Sequence, residues 1–74
     1  MKLYTKTVCP KCLWVKSELQ QAGIEVQLIN LDTDVEAFER ITSAGYLSVP
    51  ILECNGELIG EMPKILATIE VMAQ

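Results

Sequence analysis

The sequence predicts an α/β fold: a four-stranded mixed sheet flanked by helices, in the order β-α-β-α-β-β-α. Three features carry that reading. A short strand at Lys2–Thr5 leads into a helix opened by Pro10 and then into a second apolar stretch, Ile24–Leu31. A strand–helix–strand start of this kind implies a right-handed crossover and parallel pairing. Thr33 to Ala44 has helical spacing directly after that second strand. Asn55-Gly56 then sits between two short apolar runs, the pattern of a tight hairpin.

Taken in order, Lys2-Leu3-Tyr4-Thr5 is the first strand and Thr7 to Cys9 a loop. Pro10 stands at the first helical position, where its missing N–H costs nothing and its fixed φ suits the helix. Cys12, Val15, Leu19 and Ala22 recur at i, i+3, i+7 and i+10 as one apolar stripe, and Gly23 is the expected left-handed stop. Ile24, Val26 and Leu28 alternate with Glu25 and Gln27, so Ile24–Leu31 is expected to be a strand, largely buried. Thr33-x-x-Glu36 reads as a capping box for the second helix, whose inner stripe is Val35, Phe38 and Ile41. Pro50–Cys54 and Glu57–Gly60 are the hairpin strands, and Asn-Gly suits a type I′ turn because both central residues need positive φ. Pro63 opens the last helix, with Ile65, Leu66, Ile69 and Met72 as its stripe.

The 74 residues leave room for one domain, 1–74, with a thin margin of stability. Half the residues are hydrophobic and 22% charged, which is globular composition. Ten acids against six bases give a net charge of −4, which argues against nucleic acid as a partner. With no histidine, the chain lacks the commonest metal ligand and general base. Met1-Lys2-Leu3 runs into strand-like sequence without the apolar core of a signal peptide. No run has the length to cross a membrane. Three cysteines is an odd count, unlike a disulfide-stapled secreted scaffold, so a reducing cytoplasm is the expected compartment.

The chemistry concentrates in Lys6-Thr-Val-Cys9-Pro10-Lys11-Cys12. Cys9 falls at the N-cap of the first helix and Cys12 inside its first turn. A helix N-terminus offers unpaired N–H groups and partial positive charge, which stabilise a thiolate. Cysteines so placed titrate at roughly 3.5–7.5 in place of about 8.5. Lys6 and Lys11 add positive charge, so both are expected to favour the thiolate. The outer Cys9 is the expected nucleophile on a disulfide, and Cys12 the thiol that resolves the mixed disulfide. A closed zinc site needs four ligands that this chain does not offer. A purely structural bridge would close too short a loop to restrict the unfolded chain much. The remaining rival is a soft-metal (copper) carrier using the same two thiols. Heavy-metal-associated domains, however, run β-α-β-β-α-β.

This loop resembles the glutaredoxin active-site loop, typically K-x-x-C-P-Y-C. Ser48-Val49-Pro50 is similar to that family's T-V-P segment, and Asn55-Gly56 and Gly60 fall where glutaredoxins carry theirs. The resemblance spans nearly the whole chain. It implies a thioredoxin-like, glutaredoxin-type fold, a cis Val49–Pro50 peptide, and a proline loop facing the CxxC. In that family the backbone of the residue before the proline pairs with substrate, a role that would fall to Val49. Pro10, Val49, Pro50 and Gly60 are thereby the expected substrate-binding residues.

Two departures bear on the reductant. Lys11 stands where glutaredoxins usually have tyrosine. Gly60-Glu61-Met62-Pro63-Lys64 lacks the second glycine and the aspartate that hold glutathione in the family, and Glu61 adds negative charge there. Gly60-x-x-Pro63-x-Ile65 instead looks like the G-F-R-P-D-x-I/L segment of NrdH-type redoxins. Those feed electrons to ribonucleotide reductase and are reduced by thioredoxin reductase. Phe-Arg of that segment is Glu61-Met62 here.

The expected function is a small cytoplasmic thiol-disulfide oxidoreductase acting on protein or low-molecular-weight disulfides, possible electron donor to ribonucleotide reductase included. No metal or bound cofactor is expected. Reducing equivalents come from thioredoxin reductase (NADPH) or glutathione. The chain is expected to act as a monomer. Cys54 reads as a small hydrophobe in a strand, Trp14 as an edge residue of the first helix or part of a docking surface, and Met62 and Met72 as core. Asp32, Asp34, Glu36 and Glu39 read as a solvated face at the second helix start.

Overall fold

The computed structural model describes residues 1–73. The elements are β1 (Lys2–Thr5), α1 (Pro10–Gln21), β2 (Gln27–Asn30), α2 (Val35–Ser43), β3 (Ile51–Cys54), β4 (Glu57–Ile59) and α3 (Met62–Met72). Their order is the expected β-α-β-α-β-β-α, and the four strands form one mixed sheet in the order β2-β1-β3-β4. β1 pairs parallel with β2 and antiparallel with β3, while β3 and β4 form the antiparallel hairpin.

Side chains alternate across the sheet, so it divides the core in two. On one side Leu3 and Leu52 meet Val15 and Leu19 of α1 and Ile65 and Ile69 of α3. On the other, Tyr4 and Ile51 meet Leu31 and Ile41, under α2. Burial of these side chains is the main stabilising term, about 1.5–3 kcal/mol for each large aliphatic residue. The central strands β1 and β3 contribute Leu3, Ile51 and Leu52, which are fully enclosed.

Local chemistry fixes the ends. After α1, the N–H groups of Gly23 and Ile24 donate to the carbonyls of Gln20 and Leu19. After α2, those of Gly45 and Tyr46 donate to Thr42 and Ile41. Both helices thus close in the same left-handed motif, with Gly45 at φ 92°. Asn55 and Gly56 have φ 53° and 82°, as the type I′ turn requires.

Four expectations are corrected. The second strand is not the buried segment Ile24–Leu31: β2 covers only Gln27–Asn30, and Gln27 and Leu28 are exposed. β2 is an edge strand, so its outer half faces solvent, while Ile24 and Val26 tuck against the α1 side of the core before pairing begins. The cap of α2 is Asp34, not Thr33. The Asp34 carboxylate accepts the Ala37 N–H at 3.0 Å, while the Thr33 hydroxyl is drawn back to the Asn30 carbonyl at 3.3 Å. The inward line of α2 is Ala37 and Ile41, at i and i+4, so of the expected stripe only Ile41 is buried, while Val35 and Phe38 lie to its sides and are exposed. Met72 is also exposed, at the last turn of α3, whereas Met62 packs against the core as expected.

Candidate active site

The sheet register gathers the site at one end. β1 and β3 are antiparallel, with Tyr4 opposite Ile51, so the chain leaving Thr5 and the chain arriving at Pro50 lie side by side. β2 is parallel to β1, with Thr5 opposite Asn30, so the turn toward Asp32 also emerges there. The loop Lys6–Val8 rises from this end and delivers Cys9 to the start of α1.

Cys9 is the N-cap, in extended backbone at φ −152°, ψ 95°. Its sulfur accepts the backbone N–H of Cys12 at 3.1 Å, and its carbonyl accepts that of Leu13 at 3.2 Å. A cysteine here does what serine or aspartate does at other helix starts. The Cys9 and Cys12 sulfurs are bonded to each other, with Cα atoms 5.2 Å apart. Cys9 is partly exposed and Cys12 only 4% exposed, so an incoming group meets Cys9 first. Pro10 and Lys11 are both exposed, and the first turn of α1 contains no acid. A cation such as Lys11 at a helix N-terminus opposes the dipole unless an anion accompanies it, and a Cys9 thiolate is that anion.

Lys6 stands between the two halves of the site. With Cys9, Cys12, Leu13, Lys16 and Leu28 it borders a cavity of about 120 Å³ beside the disulfide. With Leu47, Ser48 and Val49 it also borders a second cavity of about 150 Å³, toward α2. The Val49–Pro50 peptide is cis, as the resemblance implied. Pro50 is buried and Val49 half-buried against Ile51 and its neighbours. Around the site Val8, Leu13 and Leu47 are 87%, 67% and 87% exposed, leaving an apolar rim on a chain of net charge −4.

Gly60 lies before α3, where a β-carbon would come within 2.6 Å of the Tyr46 ring. That ring is fixed by its hydroxyl, which donates to the Leu58 carbonyl at 3.0 Å. Close packing therefore demands glycine here, independently of any ligand. Glu61 caps α3 without a side-chain hydrogen bond and lies 3.6 Å from the Lys64 ammonium.

Sequence reasoning missed how the Lys6–Val8 loop is held. The Asp32 carboxylate accepts the Thr7 N–H at 2.8 Å, and the Asn30 amide donates to the Thr7 hydroxyl at 3.2 Å. The bond from Thr7 N–H, then that from its hydroxyl, and the nearby Lys6 hold the Asp32 carboxyl below the usual carboxylate range. The signal was present in Asn30-x-Asp32 after a strand, since Asn and Asp readily bond nearby backbone. Of the four acids read as a solvated face, two thus have specific partners: Asp32 at Thr7 and Asp34 at Ala37. Trp14 is half exposed, its indole N–H donating to Glu18 at 3.2 Å. Cys54 is a free, half-buried thiol at the opposite end of β3 from Pro50.

Among the described residues, no three His, Cys, Asp or Glu side chains cluster as a metal site, and no helix is long and apolar enough to cross a membrane. Residues 1–59 match the family model described as glutaredoxin. A glutaredoxin of Ricinus communis is 34% identical over 62 residues, covering 78% of this chain and 61% of that protein. The chain therefore spans less than two thirds of the length of this curated relative. The NrdH-redoxin of Escherichia coli, a glutaredoxin-like protein described for its thioredoxin-like activity profile, superposes with a TM-score of 0.81 at 22% identity, over 90% of each chain. Wheat glutaredoxin superposes with a TM-score of 0.76 at 26% identity, over 97% of this chain and 76% of that one.

Proposed function

The chain belongs to the glutaredoxin family, with its thioredoxin-like fold and a cysteine pair close enough to bond, and from that premise we propose that it reduces disulfides by a dithiol mechanism. The Cys9 thiolate attacks one sulfur of a substrate disulfide, and the other sulfur leaves as a thiolate that takes up a proton. Cys12 then attacks the Cys9 sulfur, releasing the second substrate thiol and closing the Cys9–Cys12 disulfide. Two electrons pass to the substrate, and a reductant must return two. The observation that carries this reading is the Cys12 N–H aimed at the Cys9 sulfur, with Cys12 enclosed one turn further on.

Lys6 and Lys11 favour the thiolate through their charge. Val49, Pro50 and Pro10 border the path of the substrate, whose backbone pairs with that of Val49. Gly60 keeps the opposite wall low. The apolar rim of Val8, Leu13 and Leu47 suits a protein segment better than a small hydrophilic thiol. A disulfide-bearing protein, ribonucleotide reductase among the candidates, is therefore the proposed partner of a cytoplasmic monomer.

Thioredoxin reductase, drawing on NADPH, is the favoured reductant over glutathione. Glu61 places a carboxylate where glutathione's own carboxylate would dock, an unfavourable pairing. A copper carrier would use the same thiols, but its element order differs from the one found here.

The test is NADPH consumption with a model disulfide, run once with thioredoxin reductase and once with glutathione plus its reductase. Turnover in the first arm is expected, and activity confined to the second would reverse the choice of reductant. Cys12→Ser should stop turnover and leave substrate attached to Cys9, and recovery of no mixed disulfide would sink the mechanism.

A further inference from the structure

Two side chains at the end of β2, Asn30 and Asp32, tie down the middle of the loop that presents Cys9. The Asp32 carboxylate holds the Thr7 N–H at 2.8 Å, the Asn30 amide holds the Thr7 hydroxyl at 3.2 Å, and the Asp32 N–H donates to the Asn30 side-chain carbonyl at 2.8 Å. Because Thr5 and Asn30 are paired in the sheet, this clasp is anchored to the parallel β1–β2 ladder. Only Val8 separates the clasped Thr7 from Cys9.

Lys6 precedes the clasp and Asp32 lies within reach of its charge. Lys6 also borders the cavity onto which Cys9 and Cys12 open. Lys16 of α1 borders the same cavity, Lys11 lies exposed in the first turn of α1, and Asp32 of the β2–α2 turn is joined to the loop at Thr7. Asp34, the next acid in that turn, is committed to the Ala37 N–H. Asp32 is thus a carboxylate bonded to the residue that directly follows the Lys6 cation in the loop leading to Cys9.

We propose that Asp32 is a positioning residue for Cys9: it fixes the loop that sets Cys9 at the helix N-cap, and its charge offsets part of the Lys6 field that would otherwise act on the Cys9 sulfur. The inference rests on Cys9 being the attacking thiolate. It explains why an acidic residue stands so close to a site whose chemistry calls for positive charge. Geometry and charge are set by the same carboxylate, at opposing effect on the thiolate. Loss of the charge alone therefore makes Cys9 more acidic than it is in the natural chain.

The two roles separate experimentally. Asp32→Asn keeps an oxygen for the Thr7 N–H and removes the charge, and Asp32→Ala removes both. Both are made in a Cys12→Ser, Cys54→Ala background, where a single thiol titrates, and the rate of iodoacetamide alkylation is followed against pH. Asp32→Asn should lower the apparent pKa of Cys9 by about half a unit, the size expected for one nearby surface charge. In the presence of Lys6→Met that shift should shrink to less than half. An unchanged or raised pKa in Asp32→Asn overturns the electrostatic role. For the clasp, the Thr7 amide in Asp32→Ala should exchange its hydrogen at least about tenfold faster than in the parent, while Asp32→Asn keeps most of the protection. An unchanged exchange rate in Asp32→Ala overturns the positioning role. Neither measurement uses a substrate, so a chain that shows the shift but reduces no disulfide would overturn the functional reading alone.

Discussion

Arg40 of α2 reaches across to Glu53 of β3, Nη2 to Oε1 at 2.6 Å, and the Tyr4 hydroxyl joins both by donating to Glu53 at 2.9 Å and accepting from Arg40 at 2.6 Å. This three-sided contact ties the outer helix to the two central strands. Glu53 is largely shielded, its side chain 14% exposed, whereas that of Arg40 is 49% exposed. Water around the guanidinium screens part of the attraction. Arg40→Met should therefore cost about 1–2 kcal/mol, mostly through the carboxylate and hydroxyl left with fewer partners. Urea denaturation reads this, and a change under about 0.3 kcal/mol would show that the contact contributes nothing.

The same cluster sets a pH dependence. Burial pushes the Glu53 carboxyl up, but the hydrogen bonds from Tyr4 and Arg40 outweigh it and hold the group below its ordinary value. A depressed folded pKa gives stability that is present above the unfolded value and lost as pH falls through the folded one. Burial first, and then the bond to Glu53, raise the Tyr4 hydroxyl above its ordinary 10.0. Its contribution is present below the unfolded value and lost as pH rises through the folded one. Glu53→Gln should flatten the acid limb of a stability–pH curve below the ordinary carboxylate range, and an unaltered acid limb would refute that assignment.

Gly60→Ala should destabilise the chain by about 1–3 kcal/mol, because the new methyl group must displace the Tyr46 ring. Combined with Tyr46→Ala, the added cost of Gly60→Ala should fall toward zero, which a double-mutant cycle in urea measures. Full additivity would mean that the glycine is needed for another reason.

Asp34→Ala should cost about 1 kcal/mol through loss of the α2 cap, and Thr33→Ala markedly less. Equal costs, measured by thermal unfolding, would restore Thr33 as a partner in the cap.

Cys54→Ala should leave disulfide turnover unchanged, since the thiol lies at the far end of β3 from the Pro50 loop. A loss greater than about twofold in the NADPH assay would give Cys54 a part in the chemistry, as half a kcal/mol is already resolvable in such rates.

What the sequence made legible is what short-range chemistry decides. Pro10, Gly23 and Asn55-Gly56 each impose a backbone geometry within a few residues, and the start and end of α1 and the hairpin followed from them. Cys9 at an N-cap and Cys12 one turn later is also a local statement, so the reactive pair was readable in advance. Position within the sheet is different in kind. The same Gln27–Asn30 sequence would serve in the centre or at the edge, and only the pairing order exposes Leu28. Val35 and Phe38 share helical spacing with Ile41, but the sheet meets the line of Ala37 and Ile41, and packing rather than spacing decides which side of an apolar helix face lies innermost. Clasps such as Asp32 with Thr7, and Arg40 with Tyr4 and Glu53, join residues distant in the sequence and have no local signature as pairs.

The amide of Cys12 already points at the outer sulfur while the two sulfurs are still joined. When a pair of electrons arrives, the negative charge lands in a dipole field assembled beforehand, and little of the backbone must reorganise to receive it. The frame is complementary to the charged product of reduction even before that product exists, so passing between redox states changes the occupant of the field more than the field itself.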